Sequence, residues 1–189
     1  MKKYLLVMLT LATSCKGIYH QRRASEMSQG GASSAPDKMV WNAIAPLQYS
    51  DFKGAVPPVT PWDAVTNSCI WLEYSYDDES VISYTLQCVF DESNSWMRLR
   101  SPEVLRHEQV HFNITEIYTR RLRHAIRQVT DWKGHPAENL NALFHQFNQK
   151  CAAMQDLYDA QTNHGMIAPM QQAWQRQTDS LLLATNILH

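Results

Sequence analysis

Residues 101–130 read SPEVLRHEQVHFNITEIYTRRLRHAIRQVT, and the rest of the chain is organised around this stretch. Ser101 is a good N-cap, Pro102 suits the first helical position, and Glu103 favours the positive end of the helix dipole. Past Pro102 no glycine or proline interrupts the run, so it predicts one long helix. That helix carries His107-Glu108-Gln109-Val110-His111, the HExxH pattern. At about 100° per residue, His107 and His111 lie one turn apart on one face, roughly 40° from each other. Two imidazoles so placed can share one Zn²⁺. Glu108, about 100° round from His107, can reach a metal-bound water and act as its general base. Paired histidines on a solvated helix face would otherwise be ordinary surface residues; the helical setting gives the pattern its meaning. Ile114 and Ile117 occupy the places where a metzincin has glycine and its third histidine. A third ligand must therefore come from outside this helix.

The candidates are Glu116, His124, His135, His145, Asp159 and His164. Glu116 and His124 fall about 160° and 120° from the direction shared by His107 and His111, which removes both. His135 stands in the turn Lys133-Gly134-His135-Pro136, and His145 lies mid-helix, where an imidazole usually answers a nearby carboxylate or carbonyl. His164 ends a helical segment just before Gly165, where the backbone can turn and bring an imidazole back towards the motif helix. Asp159 could orient a histidine through its second ring nitrogen. Alternatively, Asp159 or His145 could complete a closed four-ligand site, which would be structural and not catalytic.

The chain of 189 residues is long enough for one domain with a real core. A formal net charge of −1 argues against a nucleic-acid partner. Arg120, Arg121, Arg123 and Arg127 read as a solvated basic face near the helix C-terminus. Residues 1–14, with Lys2, Lys3 and an apolar run to Leu11, read as a secretory signal. Cys15 follows at once, as the acylated first residue of a bacterial lipoprotein would. Residues 15–38 are polar and rich in Gly and Ser, a flexible tether reaching roughly 25 Å. The expected location is the cell envelope, with the membrane engaged through a lipid on Cys15.

The folded domain is expected over residues 39–189. Tyr49-Ser50-Asp51-Phe52-Lys53-Gly54 reads as a short strand ending in a turn. Two strands follow at Ser68–Tyr76 and Ser80–Phe90, joined through Asp77, Asp78 and Glu79, with a shorter one at Ser95–Leu99. This register sets Cys69 across from Cys88, where an oxidising compartment would permit a disulfide. Ala137–Thr162 reads as a second amphipathic helix with Leu140, Phe144, Phe147, Cys151, Met154 and Tyr158 inward. A third runs from Pro169 to Ile187 with Met170, Trp174, Leu181 and Leu182 inward. Strands first and helices after give an α+β fold, a small antiparallel sheet packed on the motif helix and two further helices.

Tyr49-Ser50-Asp51-Phe52-Lys53-Gly54, Ser95-Trp96, His107-Glu108-Gln109-Val110-His111-Phe112-Asn113-Ile114 and Thr162-x-His164-Gly165, in this order, resemble a bacterial family of secreted, predicted zinc-dependent proteases, catalogued as domain of unknown function 922. The resemblance covers about residues 41–188. It implies a zincin-like fold, Zn²⁺ as cofactor, His107, His111 and His164 as metal ligands, and Glu108 as base. Asn113 departs from the family's usual Asp, at a position about 140° from the ligand face. The expected function is a zinc-dependent metallopeptidase acting on a protein or peptide substrate. Tyr158 is a candidate donor to the oxyanion. The alternative is a non-catalytic lipoprotein that binds or assembles partners around a structural metal.

Overall fold

A computed structural model of the chain describes residues 18–23 and 38–186. Six strands precede three helices: β1 Ile18–Arg23, β2 Lys38–Val40, β3 Ala64–Val65, β4 Ser68–Tyr76, β5 Val81–Asp91, β6 Trp96–Met97, then α1 Pro102–Arg127, α2 Pro136–Thr162 and α3 Ala168–Asn186. The α+β class read from the sequence is the class observed.

The main sheet has the order β1-β4-β5-β2, and β3 and β6 form a separate antiparallel pair. The β4–β5 hairpin is its centre. Asp77 makes the turn: its Oδ1 accepts the backbone N–H groups of Glu79 and Ser80 at 2.9 and 2.7 Å, an Asx turn that joins the strands without glycine. Those two bonds hold the Asp77 carboxyl below its ordinary range. β2 adds antiparallel to β5. β1 adds parallel to β4, pairing Ile18 with Trp71 through Arg23 with Tyr76. The stretch expected to be a free tether thus contains a strand. Residues 1–14 and Cys15 lie outside the described residues.

α1 is the central beam, in contact with β3, β4, β5, α2 and α3. One apolar cluster joins Ile70, Leu72 and Leu86 of the hairpin to Val110, Ile114 and Leu122 of α1 and to Leu140, Phe144 and Tyr158 of α2. A second, on the other side of α1, gathers Leu47, Phe52, Cys88, Phe90, Met97 and Phe112. A helix flanked by two clusters cannot rotate, because either rotation would expose apolar surface at about 25 cal/mol per Å². The directions of the motif side chains are fixed in this way.

Several expectations are corrected. Tyr49–Asp51 is a single 3-10 turn, not a strand. The following Gly54 lies so close to the loop before β6 that an added Cβ would stand 2.8 Å from Ser95 O. Of the residues expected inward on α3, Trp174 is buried, but Met170 is exposed and Gln171 is buried in its place. Arg120 is not solvated: it is buried against Glu116 with Nε–Oε1 2.7 Å, and its Nη1 donates to Leu182 O at 2.8 Å. Burial raises the Glu116 pKa, and the Arg120 hydrogen bond opposes that rise only in part. Asn113 does serve structure, accepting from Trp41 Nε1 at 3.0 Å and Gln109 Nε2 at 2.8 Å.

Cys69 pairs with Val89, and Cys88 with Ile70. The two cysteines are therefore one residue out of register, and a shift of one residue sends side chains to opposite faces of a sheet. Neither is in a disulfide. Alkylation in denaturant without reductant, followed by peptide mapping, should find Cys69, Cys88 and Cys151 all modified. A linked peptide containing Cys69 and Cys88 would show the register to be wrong.

Candidate metal centre

Ser101 caps α1 by accepting from Val104 N at 3.2 Å, which starts the helix six residues before His107. His107 and His111 then stack edge to face with ring centroids 4.7 Å apart. Their Nε2 atoms are 3.1 Å from each other. Asp159 Oδ1, from α2, lies 3.1 Å from His107 Nε2 and 3.0 Å from His111 Nε2. His107, His111 and Asp159 together could hold a metal ion.

The residue before Asp159 sets this geometry. Tyr158 is fully buried, with its ring stacked on His107 at 4.7 Å and packed on Trp174 at 5.2 Å. Its hydroxyl donates to Gln171 Oε1 at 2.7 Å and stands 3.3 Å from His107 O. Held at both ends, Tyr158 fixes the rotation of α2 and turns Asp159 towards the histidines. One turn earlier, Gln155 Oε1 meets His111 Nδ1 at 2.5 Å. Gln171 Oε1 meets His107 Nδ1 at 3.1 Å.

A tetrahedral ion with bonds of about 2.0–2.1 Å keeps its donors roughly 3.3 Å apart. The three separations here are 3.0–3.1 Å, and all three atoms are electron-rich. Two imidazoles and a carboxylate are a donor set suited to a divalent transition metal. The residues fit the ion that the resemblance implies.

Without the ion a proton takes its role. Burial would lower the His111 pKa, but the Asp159 hydrogen bond and the charges of Asp159 and Glu108 carry it up to about 9. Burial would likewise raise Asp159, but hydrogen bonds from His107 and His111 hold its carboxyl well below the usual range. The Tyr158 hydroxyl is pushed far above its ordinary value by burial, against the opposing Gln171 bond.

The resemblance implies His164 as the third ligand, and the sequence leaves Asp159 either to orient a histidine or to complete a closed site. In the structure Asp159, and not His164, converges on His107 and His111. α2 continues to Thr162, so Asp159 remains on the helical face that meets α1. His164 falls beyond the helix end in a turn where Asn163, His164 and Gly165 have φ of 48°, 53° and 83°. Its ring stacks on Trp62 at 4.2 Å, and its Nδ1 is 3.6 Å from the outer oxygen of Asp159, with 41% of the side chain exposed. His164 thus borders the cluster without converging on it. Tyr158 is not placed to meet an oxyanion, since its hydroxyl is already bonded on the far side of the His107 ring.

Glu108 is 4% exposed. Its charge acts on His111 and Tyr158, and its backbone oxygen accepts from Thr66 Oγ1 at 3.4 Å, next to β3. Glu116 is committed to Arg120; His135 and His145 are exposed, and neither they nor His124 join the cluster. Gln155 and Gln171 were not foreseen. The available signal was position: Gln155 is one turn before Asp159, and Gln171 is three residues before the inward Trp174.

Residues 87–165 match the family model described as "Bacterial protein of unknown function (DUF922)". The match runs from within β5 through α1 and α2 to Gly165, so it contains all three converging residues. No curated protein and no solved structure matches the chain significantly.

Gly165 combines φ +83° with a Cβ position 3.1 Å from His107 Nδ1. Gly165→Ala should destabilise the fold by about 1 kcal/mol or more, seen as a lower urea midpoint. A variant as stable as the parent would show that the turn is not pressed against His107. The pH response of the metal-free protein follows from the cluster. His111, raised from 6.5 to about 9, contributes stability that is complete below pH 6.5 and lost as pH rises through about 9. Asp159, lowered from 3.8, contributes stability that is present above that value and lost as pH falls through the depressed one. Chelator-treated protein should lose stability between pH 6.5 and 9, and Asp159→Asn should flatten that decline. An equally steep decline in the variant would sink this account.

Proposed function

We propose that the chain is a zinc-dependent metallopeptidase of the bacterial cell envelope, anchored through an acyl group on Cys15, with His107, His111 and Asp159 as metal ligands and Glu108 as general base. The observation that carries the reading is the convergence of two Nε2 atoms and one carboxylate oxygen within 3.1 Å of each other, with a buried glutamate next to the first histidine on the same helix. Bound zinc would supply a Lewis acid able to activate water near pH 7 and to polarise a carbonyl.

The chain's own residues divide the remaining work. Asp159 and the two histidines hold the cation and leave it neutralised by one formal charge. Glu108, shielded from bulk water, accepts a proton at its carboxylate as attack occurs and returns it to the leaving amine. Residues 62–66 support a peptide substrate. They run past the cluster from Trp62, stacked on His164, through β3 to Thr66, bonded to Glu108 O, and β3 has a strand partner on one side only among the described residues. An extended peptide can add to such an edge with its backbone presented to the site. His164, half-exposed beside the outer oxygen of Asp159, is the side chain best placed to meet it. Among the described residues no helix is long and apolar enough to cross a membrane.

Elemental analysis of protein purified without a His-tag should find about one zinc per chain, and Asp159→Ala should lose it. Glu108→Gln should keep both metal and fold while cleavage of mixed denatured proteins falls roughly 10²–10⁴-fold; a chelator should abolish cleavage in the parent. Undiminished cleavage by Glu108→Gln, or cleavage indifferent to the chelator, would refute the mechanism. Full zinc occupancy without turnover would instead assign the metal a structural role in a binding module.

A further inference from the structure

We infer that Gln155 and Gln171 are the positioning residues that turn both imidazoles towards the cation, and that they do so with neutral amides. The inference rests on the proposed metal site and deepens it. A histidine ligand works only if its other nitrogen carries the proton, and the partner of that nitrogen decides the matter. Here both partners are glutamine oxygens, delivered by two different helices.

Gln155 has its amide orientation dictated by its surroundings. Its Nε2 lies 2.9 Å from the backbone oxygen of His111 and 3.1 Å from Thr115 Oγ1. A carbonyl oxygen can only accept, so that end of the amide must be the NH₂. The other end is then the oxygen, and it faces His111 Nδ1 at 2.5 Å. It can only accept in turn, which places the proton on Nδ1 and the lone pair on Nε2. Gln155 and Asp159 are four residues apart on α2, so a single helical turn supplies both the orienting group and a ligand.

Gln171 performs the same task for His107 from α3. Its oxygen receives the Tyr158 hydroxyl at 2.7 Å and stands 3.1 Å from His107 Nδ1. The side chain is buried, and its Nε2 has no hydrogen-bond partner among the described residues. An unpartnered buried amide N–H₂ is destabilising, so the residue is poorly explained as a packing element. Its oxygen, which takes two donors, is the useful half. A carboxylate of the same length keeps that oxygen as an acceptor and adds charge of the sign that a cation favours.

That difference gives the test. Zinc affinity would be measured by chelator competition for the parent, Gln155→Met, Gln171→Met and Gln171→Glu, together with the thermal stability of each metal-free protein. Methionine preserves length and packing but removes the acceptor, and each Met variant should bind zinc about 10–100-fold more weakly. Gln171→Glu keeps the acceptor and should bind at least as tightly as the parent. In proton spectra of the zinc-loaded parent, two slowly exchanging imidazole Nδ1–H signals should appear, and each Met variant should lose one of them to solvent exchange. If the Met variants bind zinc like the parent, or if Gln171→Glu is as weak as Gln171→Met, the inference is overturned while the metal site stands. A parent that binds no zinc overturns both.

Discussion

The contact on which the structure turns is that between Asp159 Oδ1 and the two histidine Nε2 atoms. It joins the first half of α1 to the end of α2, and nothing in either helix alone would bring these groups together. An exposed carboxylate beside two imidazoles would contribute little. These groups are instead set among buried side chains, where the same interaction is much stronger and an unpaired partner much more costly. The apolar packing around it can be understood as the frame that keeps α1 and α2 in the one relative rotation at which the three atoms meet.

That frame is unusually polar on its inner side. α3 turns Gln171, Thr178 and Thr185 inward along with Trp174, and α1 buries Thr115, Glu116, Thr119 and Arg120. Most of these groups are partnered: Thr115 Oγ1 meets Ser68 Oγ at 2.7 Å, and Arg120 reaches Leu182 O. Hydrogen bonds are directional, while apolar contacts tolerate sliding. Thr119, Thr178 and Thr185 close on carbonyls of their own helices, while Arg120 ties α1 to α3 and Thr115 ties α1 to β4, two directional links that resist sliding.

Much of this was legible in the residues. The phase of α1 follows from its own sequence, since 3.6-residue geometry relates His107, Glu108 and His111 without reference to any neighbour, and Ser101-Pro102 marks its start. The stripe of α2 was equally plain, with Leu140, Phe144, Cys151 and Tyr158 all buried as spaced. The hairpin and its packing on α1 were legible too, but the finer relations between elements were not. Asp159 and His164 both lay near the right place, and they are distinguished by the rotation of α2 that Tyr158 holds against His107 and by the left-handed turn that carries His164 away after Thr162. Cys69 and Cys88 differ from a facing pair by one residue of register, which no alternation pattern settles when both strand faces are buried. Arg120 reads as surface because arginine usually is; its burial depends on a carbonyl of α3 that lies 62 residues away. Gln171 was hidden by Met170, an apolar neighbour that looked the better core residue.

The turn that closes α2 places two residues with side chains, Asn163 and His164, in the left-handed region immediately before Gly165. Glycine would relieve the left-handed strain at either position, roughly 1–2 kcal/mol for a residue with a Cβ and less for asparagine. A redesign guided by backbone comfort alone would therefore replace them and gain thermal resistance. It would also erase the imidazole that stands between Trp62 and Asp159. At this corner the least strained sequence and the one that holds an imidazole beside Asp159 are different sequences.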